Sequence, residues 1–114
     1  MGSVDPDLKT PIPPKTLSRE SRRIWRDITG EWVLDTQALI VLKVALESYD
    51  RLQSARQEIE RDGVTVDTPT GYKREHPSIK VEKQSRDGFL ASWRLLGLNI
   101  SPPGEVGRPA GGFS

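Results

Sequence analysis

The sequence predicts a mainly α-helical subunit with one long central helix, a short hairpin-like loop and a C-terminal helix. Three observations carry that reading. Asp35 to Gly63 contains no internal glycine or proline. Its apolar or aromatic residues recur at Ala38, Leu42, Ala45, Tyr49, Leu52 and Ile59, with Leu39 and Leu46 beside them; spacing of three and four draws one apolar stripe along a helix. The nine prolines and ten glycines gather near the two ends and in one mid-chain loop of the 114 residues. The packed part therefore spans roughly residues 16 to 100.

In chain order, residues 1–14 hold four prolines and isolated apolar residues, the pattern of a flexible, extended arm. A first helix is expected from Ser18 to Thr29, with Ser18 as N-cap and Gly30 near its end. Leu17, Ile24, Trp25 and Ile28 make its buried side, while Arg19, Arg22, Arg23 and Arg26 gather on the other. Trp32, Val33 and Leu34 form an apolar turn onto the next helix, and Trp25 and Trp32 are read as core rather than as a stacking platform for bases.

The central helix has Asp35 to accept from the free N–H groups of its first turn and Gly63 to end it. At about 1.5 Å per residue it would be roughly 40 Å long, more than so small a domain needs. Its stripe must then be covered by other helices of this chain or of another. After it, Val64 and Val66 alternate with polar residues, Asp67, Pro69 and Gly71 signal a turn, and Tyr72 begins a returning strand. Such a hairpin is hardly stable by itself, so it must lean on a helix or on a neighbouring subunit.

The last helix starts at Pro77 or Ser78 and stops before Gly97. Its first half is polar apart from Ile79 and Val81, and its second half holds Phe89, Leu90, Trp93 and Leu96, followed by Leu98. Gly88 in its middle costs about 1 kcal/mol relative to alanine. Residues 101–114 return to proline and glycine and read as a disordered tail ending near Phe113. The expected organisation is a Pro-rich arm (1–14), one helical oligomerisation and DNA-binding domain (15–100) and a Pro/Gly tail (101–114).

A core of this size is marginal when it folds alone, which favours oligomerisation. The absence of cysteine excludes disulfides and thiolate chemistry. No stretch is apolar enough to span a membrane, and none near the start resembles a signal peptide; a soluble, intracellular protein is expected. Net charge is +1 but is segregated. Lys15 to Arg26 has five bases and one acid, Asp35 to Asp62 four bases and six acids, and Lys73 to Arg94 six bases and three acids. Basic segments of this kind mark where a polyanion docks, and arginine forks match phosphate oxygens.

An enzyme needs a constellation of reactive groups, and none is found. His76 has no second histidine for a metal site, and Glu58 and Asp62 read as solvated charges at a helix end. The glycine clusters lack the lysine and Ser/Thr of a phosphate-binding loop, and no serine sits in a nucleophile elbow. The expectation is a non-enzyme without cofactor or metal.

The order of parts is itself informative. A Pro-rich start, a Trp-containing helix, a long central helix, a turn with P-T-G-Y and H-P, and a helix closing on L-G-L resemble the short phage terminase small-subunit family, the partner of the packaging motor of tailed bacteriophages. Leu17, Trp25, Leu42, Tyr49, Gly63, Gly71, His76, Pro77, Leu96, Gly97 and Leu98 carry the resemblance over residues 11–100. The family continues with Thr-Pro and a basic stretch; here Asn99-Ile100-Ser101-Pro102-Pro103 follows, and Arg108 is the one later base.

The resemblance implies a non-catalytic, ring-forming adaptor in the host cytoplasm. It would recognise or hold double-stranded viral DNA and regulate the large terminase subunit, an ATPase and nuclease. The expected DNA-binding residues are Arg19, Arg22, Arg23 and Arg26, with Lys73 and Arg74 as a second patch. The expected oligomer interface is Leu39, Leu42, Leu46, Tyr49, Leu52, Phe89 and Trp93. The alternative is a helical scaffold that binds only protein. A transcriptional regulator fits less well, because the exposed side of the long helix is too acidic for a recognition helix.

Overall fold

Each helix of the computed structural model, which describes residues 10–103, begins on a capping side chain. Ser18 Oγ accepts from the Ser21 N–H at 3.1 Å and starts α1, Arg19–Glu31. Asp35 Oδ1 accepts from the Ala38 N–H at 2.8 Å and starts α2, Thr36–Asp62. His76 Nδ1 accepts from the Ser78 N–H at 3.0 Å and starts α3, Pro77–Leu96. Between α2 and α3 lie β1, Thr65–Asp67, and β2, Lys73–Glu75, paired antiparallel with Val66 opposite Arg74. Gly63 (φ 87°), Gly71 (φ 88°) and Gly97 (φ 64°) occupy positive-φ positions at the end of α2, in the hairpin turn and after α3, conformations that disfavour side chains. Gly30, by contrast, lies inside α1, which continues through it to Glu31.

Helices α2 and α3 form an antiparallel pair. Ser78 Oγ donates to Glu58, Arg56 pairs with Glu82 at 3.1 Å, and Gly88 sits against Ser48. A β-carbon at Gly88 would approach Ser48 Oγ to 3.7 Å, an ordinary contact, so the glycine is not required for this crossing. Helix α1 crosses α2 and is tied there by Asp50. Its carboxylate accepts from the Ser18 N–H at 2.8 Å and from the Ser18 and Ser21 hydroxyls, both at 2.6 Å.

The three helices enclose a core of Leu17, Ile24, Trp25 and Ile28 with Leu42, Leu46, Tyr49, Leu52, Phe89 and Trp93. Its aromatic members stack in sequence, Tyr49 to Phe89 at 5.4 Å and Phe89 to Trp93 at 5.6 Å between ring centroids. This corrects the expected oligomer interface. Leu42, Leu46, Leu52 and Phe89 are 0 % exposed, Tyr49 1 % and Trp93 6 % within a single chain, and Leu39 is half-buried. The stripe of α2 is covered by α1 and α3, so these side chains are core and not a surface free for a second subunit.

The segment before α1 also takes part in packing. Trp25 Nε1 donates to the Pro11 carbonyl at 2.8 Å, and Pro11, Pro13 and Pro14 are half-buried. The remainder of the expected arm and most of the expected tail, with Arg108 and Phe113, lie outside the described residues.

Two outcomes follow for stability. Asp50→Ala leaves the two serine hydroxyls without their acceptor and is expected to lower unfolding free energy by about 1–3 kcal/mol, read from the urea midpoint at unchanged slope. Leu46→Asp buries an unpaired charge and is expected to abolish the helical circular-dichroism signal instead of merely dissociating an assembly.

Candidate nucleic-acid interface

The four arginines of α1 lie opposite its buried residues Ser21, Ile24, Trp25, Ile28 and Thr29, because three- and four-residue steps keep a helix face together. Arg19, Arg23 and Arg26 are exposed and Arg22 is half-buried. Among the described residues none of the four takes part in an ion pair. The acids of the helix, Glu20, Asp27 and Glu31, fall on one flank, and Glu20 accepts from the buried Tyr49 hydroxyl at 2.9 Å. The arginine face thus has no internal neutralisation, and its helix is held by the Asp50 hydrogen bonds and by Trp25. A rigid row of guanidinium groups suits phosphate oxygens.

The second expected patch is different. Lys73 Nζ is bound to Asp67 Oδ1 at 2.8 Å, directly across the strand pair, so much of its charge is offset. Arg74 stands opposite Val66, exposed and in no ion pair among the described residues. The hairpin is fixed at the C-terminal end of α2, whereas the start of α1 is fixed at Asp50, about 18 Å back along the helix at 1.5 Å per residue. The chain therefore does not bring the two patches together.

A sequence model of the family described as phage terminase, small subunit, matches residues 19–111. The chain belongs to the phage terminase small-subunit family. The match starts at the first residue of α1 and runs through both strands and α3. No curated protein and no solved structure gives a significant match. Family membership supports a role in phage DNA packaging, with the large terminase subunit and DNA as associates, in the host cytoplasm, and the family is generally a non-catalytic adaptor. Among the described residues of this terminase small subunit, no helix is long and apolar enough to cross a membrane. Nor do three His, Cys, Asp or Glu side chains gather as a metal site there.

Glu58 and Asp62, expected to be solvated, instead hold the start of α3. Glu58 accepts from Ser78, and Asp62 accepts from His76 Nε2 at 3.0 Å and from Arg61 Nε at 2.9 Å. Because His76 Nδ1 accepts from a backbone N–H, its hydrogen sits on Nε2. Arg61 and then His76 hold the Asp62 carboxyl below the usual carboxylate range. His76 N–H also donates to the Val64 carbonyl at 2.9 Å, so the buried imidazole joins α2, the hairpin and α3. The H-P pair before a helix was the available sequence signal, but it does not reveal burial.

Burial, and then the Glu20 hydrogen bond, push the Tyr49 hydroxyl up from 10.0 to about 12. A raised value means the folded chain keeps this proton more tightly than the unfolded one. The contribution is therefore complete below pH 10 and is lost as pH rises towards 12. Urea midpoints measured across that window are expected to fall, and Tyr49→Phe is expected to flatten part of the fall.

Proposed function

We propose that this terminase small subunit is a ring-forming adaptor that holds viral DNA through the α1 arginines and regulates the large terminase subunit. The carrying observation is the arginine face itself: Arg19, Arg22, Arg23 and Arg26 lie on one anchored helix with no ion-pair partner among the described residues. In a ring that face repeats around a circle, and contacts that are weak singly add up because later ones form at high effective concentration. Arginines without a recognition helix favour backbone phosphates over base edges, so binding has modest sequence preference. In this reading residues 15–100 form the oligomerisation and DNA-binding unit, and the terminal segments serve contacts with the large subunit.

Salt separates this reading from a scaffold that binds only protein. Affinity for duplex DNA is expected to fall steeply with salt, with a log–log slope of about −0.9 per phosphate contact. The triple variant Arg22→Ala, Arg23→Ala, Arg26→Ala is expected to lose affinity and flatten that slope while its particle mass stays the same. Unaltered DNA binding in that variant moves the site to the hairpin around Arg74, and no salt-dependent DNA binding by the wild type favours the scaffold.

A further inference from the structure

Burying the stripe of α2 inside the chain leaves a different apolar surface outside. Ile40 is 57 % exposed, Val44 45 %, Val81 42 % and Leu95 75 %. On α2, Ile40, Val44, Glu47 and Arg51 follow steps of four, three and four; on α3, Val81, Gly88 and Leu95 follow steps of seven. Both patterns are single helix faces. The register set by Glu58 with Ser78 and by Ser48 with Gly88 puts Leu95 level with Val41, between Ile40 and Val44. It puts Val81 level with Ala55, and Arg51, Ala55 and Val81 line one cleft. Helix α1 is anchored at Leu46 and Asp50, around the other side of α2. The outer apolar residues therefore share the broad side of the α2–α3 pair that α1 leaves uncovered.

The charges around this side indicate what covers it. Lys43, Arg51 and Lys80 flank it without an ion pair among the described residues, and Glu47 is half-buried between the first two. Meeting its own copy would set these bases against one another, a like-charge contact that costs affinity. A surface of opposite sign is available elsewhere on the chain. Glu20, Asp27 and Glu31 follow steps of seven and four along one flank of α1, beside the arginine face, and Val33, just beyond, is 100 % exposed. Pairing of two different surfaces is heterologous and closes into a ring where the rotation permits.

We infer that a second copy of this chain docks its acidic α1 flank and Val33 against the Ile40–Val44–Val81–Leu95 face, leaving its arginines outward. This rests on the ring reading and assigns its contact surfaces. The particle mass of the full chain by light scattering tests both ideas separately. The double variant Ile40→Ser, Leu95→Ser changes exposed residues and is expected to give the mass of one chain, with wild-type circular dichroism and melting. An assembled wild type with an unchanged mass in that folded variant overturns the interface and leaves the ring reading standing; a single-chain wild type overturns both.

A charge exchange provides a variant independent of apolar loss. Asp27→Lys with Glu31→Lys, and separately Lys43→Glu with Arg51→Glu, are each expected to weaken assembly on the order of tenfold or more. The four changes together are expected to restore it. Failure of the combined variant to recover, or a wild-type particle of two copies, overturns the proposed pairing.

Discussion

One carboxylate organises this small protein. Asp50 lies at mid-length of α2 and accepts three hydrogen bonds from the first turn of α1. A half-buried charge is costly unless its lone pairs are satisfied, and here two serine hydroxyls and the N-cap's own amide satisfy them. The same contact starts α1, since Ser18 is both its N-cap and a donor to Asp50. It sets where Ile24, Trp25 and Ile28 fall on the stripe of α2, and so which side of α1 is left for solvent.

That outward side is divided. Core residues take one part of α1, arginines the opposite part, and Glu20, Asp27 and Glu31 the flank between. One helix therefore offers two surfaces of opposite sign, each suited to a different partner. Multivalent phosphate binding needs the positive one to be repeated and rigid, and anchoring by Asp50 and Trp25 supplies the rigidity within each subunit. The far end of α2 is organised around another polar centre, where His76 ties the hairpin and α3 to Asp62 and Val64. This is how a two-stranded hairpin, marginal by itself, is held without a large apolar face of its own.

Much of this was legible in the residue order. Apolar spacing and the absence of breakers defined α2 to within a residue at each end, because Asp35 and Gly63 satisfy or terminate backbone groups locally. The same local chemistry placed the hairpin, the start of α3 at Pro77 and its stop at Gly97. The end of α1 was displaced because a glycine signals a stop only where the chain turns, and Gly30 remains helical. The family, too, was legible from the succession of these parts.

What the sequence could not determine was which surfaces face which. Periodicity shows that Leu42, Leu46 and Tyr49 need a partner, but a helix of the same chain and one of a neighbour bury them equally well. Only the tertiary arrangement shows them covered by α1 and α3, with Ile40, Val44 and Leu95 left outside. Charges follow the same rule. Lys73 and Arg74 are adjacent bases in the sequence, yet strand pairing puts Asp67 beside one and Val66 opposite the other. Glu58 and Asp62 look like solvated acids until α3 returns to them. Local hydrogen bonding is written in neighbouring residues, whereas burial and charge pairing depend on groups brought together from distant parts of the chain.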